Sequence, residues 1–171
     1  MTDAAPASTA VQVLVTGDTH LRDGARLPID LLALAERADV ILHTGDVVAG
    51  DVLDVLRAFA PVTAVLGNND DEFVGRLPER EVVELAGVRI GMVHDGGVAQ
   101  GRAARLRAWF PDARVVLYGH SHLPELSDDD GLLVLNPGSP TQRRRARSHT
   151  AAWLELRDGD VTAAHLVEVD R

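Results

Sequence analysis

Val11-Gln12-Val13-Leu14-Val15-Thr16-Gly17-Asp18-Thr19-His20 is the stretch on which the fold turns. Its first six residues form an apolar, β-branched run of strand length, and Gly17 ends it. Asp18 and His20 follow at once. Two apart in an extended segment, their side chains are expected to leave the same face. The same grammar recurs along the chain. Val40 to His43 reads as a strand ahead of Gly45-Asp46. Val62 to Leu66 precedes Gly67-Asn68-Asn69-Asp70, and Val88 to Val93 precedes His94-Asp95-Gly96. Arg114 to Tyr118 precedes Gly119-His120-Ser121-His122. Each motif supplies Asp, Asn or His, the side chains that bind divalent metals through oxygen and imidazole nitrogen. Ligands at strand ends line one rim of a sheet, where open α/β proteins place their sites.

Between these strands, helices are predicted from Pro28 to about Ala38, with proline in the first turn, and from Asp51 to Phe59. Leu21 to Leu27 reads as a loop. Strand–helix–strand–helix–strand implies a parallel sheet with right-handed crossovers. The pattern then changes. Glu81 to Leu85 and Val88 to Val93 form a hairpin across Ala86-Gly87. Ala103 to Phe110 is a helix, and Leu132 to Leu135 is a strand after the acidic turn Asp128-Asp129-Asp130-Gly131. Thr150 to Leu156 and Val161 to Val169 close a second hairpin across Asp158-Gly159. The residues alone support an α/β chain with one domain over 11–171, behind a loose tail at 1–10 rich in Ala, Ser, Thr and Pro.

Composition narrows the chemistry. The 171 residues contain no cysteine and no lysine. Thiolate sites, cysteine nucleophiles, Schiff-base lysines and a Walker-type lysine are excluded. With 17 basic and 26 acidic residues the formal charge is −9, which argues against binding duplex nucleic acid. Met1 to Ala10 has neither the basic start nor the apolar stretch of a signal peptide. No run reaches membrane-spanning length, so a cytoplasmic setting without membrane association is expected.

Each motif has a plainer local reading. Asp46 suits a helix N-terminus ahead of Asp51, Asn68 suits a turn after a strand, and His43, inside its strand, reads as packed. His94 reads as an exposed strand-end residue. His149 and His165 lie in no motif. Arg143, Arg144, Arg145 and Arg147 form the one dense basic patch, either solvated or able to grip a phosphate.

Taken in order, and with Asn136-Pro137-Gly138-Ser139 added, these motifs resemble the calcineurin-like metallophosphoesterases, and within them the YfcE-type small phosphodiesterases. The resemblance covers nearly the whole chain from Val11 onward. It implies an αββα sandwich of two mixed β-sheets flanked by helices. It also implies two divalent metals per subunit, the first on Asp18, His20, Asp46 and His122, the second on Asp46, Asn68, His94 and His120. The mixed donor set favours Mn²⁺, with Fe, Zn, Ni or Co also suited, over Mg²⁺. The implied reaction is hydrolysis of a phosphodiester P–O bond by a metal-bridging hydroxide, with His94 catalytic through neutralising phosphoryl charge. Asp70 enters as an auxiliary catalytic residue that orients His or water. Asn69 is a departure, because related branches place a proton-donating His there. The expected partner is a small phosphodiester or phosphorylated substrate, and a homo-oligomer is left open. Two alternatives stand beside this reading: a protein-binding scaffold of the same fold, as in a eukaryotic retromer subunit, and a metal-dependent nuclease.

Overall fold

The computed structural model describes residues 9–170. The expected tail falls almost wholly on residues 1–8, outside the described residues. In chain order the elements are β1 (Val11–Thr16), α1 (Ile29–Ala35), β2 (Val40–His43), α2 (Gly50–Arg57), β3 (Val62–Ala64), β4 (Arg80–Leu85), β5 (Val88–Val93), α3 (Arg102–Trp109), β6 (Val115–Leu117), β7 (Glu125–Asp129), β8 (Leu132–Asn136), β9 (Thr150–Arg157) and β10 (Asp160–Glu168). They form two five-stranded sheets, ordered β10-β9-β1-β2-β3 and β4-β5-β6-β8-β7. In the first, β1, β2 and β3 run parallel; in the second, β5, β6 and β8 do. The late hairpins add the antiparallel strands.

Period-two alternation sorts the side chains into layers. Val13 and Val15 of β1 join Leu42, Ile90, Met92, Val115, Leu117 and Leu154 in a core between the sheets. Leu14 and Ile41 point the other way, against Leu31 of α1 and Leu53 and Leu56 of α2. On the far side, Val116 and Val134 meet Leu106 of α3 and Phe110. The arrangement is the αββα sandwich that the resemblance implied. The inner strands β1, β2, β6 and β8 are apolar on both faces because both faces are covered.

Two readings of the sequence need correction. The expected helix from Pro28 to Ala38 is only Ile29–Ala35, with Pro28 as its N-cap. The acidic stretch before Leu132 is mostly strand: β7 pairs with β8 from Glu125 to Asp129, and the turn is confined to Asp130 and Gly131, both at positive φ. β7 is an edge strand whose last three residues are exposed. It therefore shows no apolar alternation, and its charges guard an edge against further pairing.

Candidate metal centre

The parallel strands of both sheets deliver their C-terminal ends to one rim. β1 supplies Asp18 and His20, β2 Asp46, and β3 Asn68. β5 supplies His94, and β6 supplies His120 and His122. Asp18 and His20 do bring their side chains to one site, as expected, but not from an extended segment. Both adopt left-handed backbone, as do Asp46, His120 and His122, with φ between 46° and 68°. Five of the seven expected ligands thus occupy a region that non-glycine residues seldom visit. Cross-links between the turns fix this conformation: the backbone N–H groups of Asp18 and His20 donate to the carbonyls of Gly45 and Asp46. Gly67 is required where it stands. A Cβ there would lie 2.1 Å from the Asp46 nitrogen and 2.3 Å from Asp46 Oδ1.

The side chains gather in two overlapping groups. In the first, His122 Nε2 lies 3.4 Å from Asp18 Oδ1 and 3.2 Å from His20 Nε2, and His20 Nε2 is 3.2 Å from Asp46 Oδ2. In the second, His94 Nε2 is 3.5 Å from Asp46 Oδ2 and 3.0 Å from Asn68 Oδ1, and His120 Nδ1 is 2.9 Å from the same Asn68 oxygen. Asp46 Oδ2 sits between the groups, as a shared ligand must. Asp18 also comes within ligand range of Asp46 and His94 together, so geometry gives it a reach across both groups that the resemblance assigned to Asp46 alone.

Hydrogen bonds at the other ring nitrogens set the tautomers. His94 Nδ1–H donates to the Thr44 carbonyl at 2.8 Å, and His122 Nδ1–H donates to the Gln142 carbonyl. In both neutral rings Nε2 then carries the lone pair that faces the cluster. Burial lowers the pKa of His94, and it lowers that of His122 to about 4, so both rings stay neutral at pH 7. His94 is buried at 4% exposure, not an exposed strand-end residue; its ring fits between the sheets because the Thr44 carbonyl receives it. His43 packs as expected. Gly45 N–H donates to its Nδ1, its Nε2 meets Thr19 Oγ1 at 3.2 Å, and burial lowers its pKa to about 3.

The two carboxylates differ sharply. Burial is the largest influence on Asp46 and pushes its pKa up, but contacts from His20 and the Asn69 backbone N–H, with His94 and the Asn69 amide, outweigh it and hold the group well below the usual range. Asn69 donates from its backbone N–H to Oδ1 at 2.8 Å and from its side chain to Oδ2 at 2.7 Å. Asp18 is fully buried, and neither oxygen has a hydrogen-bond partner. Burial, then repulsion from Asp46, raises its pKa to about 8; the His120 backbone N–H leans the other way without closing a hydrogen bond. A buried carboxyl beside imidazole lone pairs, with no donor to its anionic form, holds a negative charge at neutral pH only when a cation is beside it. The donor set therefore fits divalent metal.

Asp70 serves the backbone of the site. Its buried carboxylate accepts the backbone N–H groups of Asp46 at 2.9 Å, Val48 at 2.8 Å and Gly67 at 2.8 Å. It ties the turn after β2 to the turn after β3. Asn136, Ser139 and Thr141 brace the opposite side, the first two from the Asn136-Pro137-Gly138-Ser139 motif and Thr141 beyond it. Asn136 donates to the Gly119 carbonyl and Ser121 Oγ, Ser139 Oγ to the Asp18 carbonyl, and Thr141 Oγ1 to the Thr19 carbonyl.

Residues 11–159 match the model of the calcineurin-like phosphoesterase superfamily domain. The chain belongs to that superfamily. A probable metallophosphoesterase of Methanocaldococcus jannaschii is 38% identical over 135 residues, covering 76% of this chain and 68% of that protein. Among solved structures, a predicted phosphoesterase of Streptococcus pneumoniae matches with a TM-score of 0.69 and 26% identity, covering 95% of this chain and 91% of that one. Vps29 of Entamoeba histolytica complexed with zinc matches with a TM-score of 0.71 and 26% identity, over 92% of this chain and 99% of that one. As a calcineurin-like phosphoesterase, the chain carries candidate ligands for divalent metal at the shared rim of its sheets.

Proposed function

We propose that this calcineurin-like phosphoesterase is a binuclear metal-dependent phosphodiesterase. The convergence of Asp18, His20, Asp46, Asn68, His94, His120 and His122 at one rim carries the reading, with Asp46 Oδ2 between the two groups. Asp18, His20, Asp46 and His122 would hold one cation, and Asp46, Asn68, His94 and His120 the other. Mn²⁺ is the proposed metal, and a relative of the same fold, Vps29 of Entamoeba histolytica, has been solved in complex with zinc. When bound, such a pair supplies Lewis acidity toward a phosphoryl oxygen and toward the attacking water.

The chain's own residues orient and insulate. Thr44 and Gln142 fix the His94 and His122 rings, and Asn69 holds both oxygens of Asp46. Asn69 has no proton to give at neutral pH, and its amide is already committed to Asp46. We expect little assistance to the leaving group, and hence a rate that falls steeply as the leaving alcohol becomes more basic. The substrate is proposed to be a small phosphodiester, and the cytoplasm is the proposed setting. The alternative, a scaffold, draws on the likeness to Vps29, but it gives no reason for ligand-competent groups at all seven positions.

The test is hydrolysis of bis(p-nitrophenyl) phosphate and of alkyl aryl diesters with graded leaving groups by Mn²⁺-loaded protein. Ready cleavage of the aryl esters and poor cleavage of unactivated alkyl esters is expected. Failure on every diester would favour the scaffold. A rate insensitive to the leaving group would show that some other residue donates the proton.

A further inference from the structure

Beside the proposed ligands Asn68 and His94 lies an open cleft of about 360 Å³ whose walls include both of them. A substrate whose phosphorus is held at the metal rim therefore has this cleft open to one of its ester groups. Leu66 and Val93 give the cleft an apolar side, and Arg80 and Trp109 line it as well. The Arg80 guanidinium lies over the Trp109 ring, 3.9 Å from its centroid. Arg80 opens the edge strand β4 and Trp109 ends α3, so a strand edge and a helix end meet to make this stack. A larger cavity of about 450 Å³, lined by Leu21, Leu27 and Ile29 among others, includes none of the seven ligand side chains.

Arg80 stands apart from its neighbours. Arg102, Arg105, Arg107 and Arg114 each spend their N–H groups on named carbonyls or carboxylates. Among the described residues, the Arg80 side chain makes no hydrogen bond and no ion pair; its one partner is Trp109. A guanidinium is planar and weakly hydrated, and it stacks on flat π-systems from either face. One face is covered by Trp109, and the residue is exposed. Glu79 and Asp95 line the same cleft, and their charge disfavours a second anion there while offering acceptors to amino or hydroxyl groups.

We propose that this cleft seats a planar aromatic substituent of the substrate ester, stacked on the Arg80–Trp109 pair. The proposal deepens the phosphodiesterase reading and rests on it. Nucleobases stack on arginine planes and on aromatic side chains in the same way, and a simple aryl ester has the same flat face. The shared requirement is the ring.

Binding to Mn²⁺-loaded protein, measured by calorimetry, tests this without relying on turnover. Phenylphosphonate is compared with methylphosphonate, and adenosine 5′-monophosphate with ribose 5-phosphate. In the unaltered protein the ring is expected to improve affinity at least tenfold in one or both pairs. In Arg80→Ala, and separately in Trp109→Leu, that ratio is expected to fall below threefold. Arg80→Ala carries the decision, because its side chain is exposed and its loss leaves the core intact. A gain in the phenyl pair alone identifies an aryl ester as the ligand; a larger gain in the adenosine pair identifies a nucleobase. No gain in either pair, or a gain that survives Arg80→Ala, overturns the proposal. If none of the four compounds binds, the phosphodiesterase reading itself fails and this proposal falls with it.

Discussion

Asp18 holds a carboxylate in full burial with no hydrogen bond to either oxygen, and its behaviour without metal is a direct consequence. Burial and the nearby Asp46 raise its pKa to about 8. The folded chain then binds that proton more tightly than the unfolded chain does. The contribution to stability is complete below the ordinary value of 3.8 and is lost as pH rises through about 8. Metal-free protein is therefore expected to melt at lower temperature at pH 8.5 than at pH 6.5, as far as this group decides it. Asp18→Asn removes the charge and should reverse the penalty: each 1 kcal/mol regained raises Tm by about 2–4 °C for a chain of this size. The same variant should lose metal-dependent stabilisation. Scanning fluorimetry in chelator and in Mn²⁺ reads both effects; a lower Tm for Asp18→Asn in chelator at pH 8.5 would mean the carboxylate has a partner after all. His94 gives a second residue-scale expectation. Its Nε2 faces Asp46 and Asn68, while its Nδ1–H serves the Thr44 carbonyl. His94→Gln should lower kcat by at least about two orders of magnitude, the scale for removing one group that stabilises the transition state. Because the residue is buried, the variant should also lose about 1 kcal/mol of stability with the Thr44 bond. Near-normal kcat on an aryl diester would remove His94 from the ligand set.

The elements that matter most are the turns after the strands, and they were the least legible part of the chain. Strand bodies were plain: the apolar runs at Val11–Thr16 and Val40–His43 have the expected bounds, because burial on both faces leaves a continuous apolar signal. The identity of the site residues was legible too, since Asp, Asn and His after a Gly-ended strand have a chemical meaning. Their conformation was not. No local pattern announces that Asp18, His20, Asp46, His120 and His122 turn left-handed; for Asp18 and His20 the geometry is held by bonds to the carbonyls of Gly45 and Asp46, far away in sequence. Gly17 and Gly67 were available signals, glycines placed where a neighbouring turn crosses, so that a Cβ would lie 1.9 Å from Thr44 and 2.1 Å from Asp46. The role of Asp70 was equally hidden: an acidic residue near a metal motif reads as chemistry, yet this one gathers three backbone N–H groups. Asp70→Ala should strand those donors at a cost of about 1–3 kcal/mol for even one of them. It should also weaken metal binding by about 10–100-fold, as loss of a supporting partner does. Asp70→Asn, which keeps an acceptor oxygen, should fall between the two proteins in a calorimetric metal titration. Equal affinity for Asp70→Ala and unaltered protein would show that the turns hold themselves.

Over the whole molecule, the ligands divide by sheet. Asp18, His20, Asp46 and Asn68 follow strands of the first sheet, and His94, His120 and His122 follow strands of the second. Each proposed cation takes ligands from both. Away from the rim, the sheets are held together by a core of Val, Leu, Ile, Met and Ala side chains. At the rim, two buried carboxylates meet the neutral imidazoles of His94 and His122. Metal binding should therefore staple one sheet to the other and stabilise the folded chain by mass action. With free Mn²⁺ at one hundred times Kd the gain is about 2.7 kcal/mol for one site, or about 5–11 °C in Tm at this chain length. Reconstituted protein should hold close to two equivalents of metal by elemental analysis. Hydrogen exchange should slow on both sides of the rim together, in the turns after β1 and β2 and in those after β5 and β6. Protection confined to the first sheet, with one equivalent bound, would mean that the histidines of the second sheet do not close the site, and the two-metal reading would give way to a single cation on Asp18, His20 and Asp46.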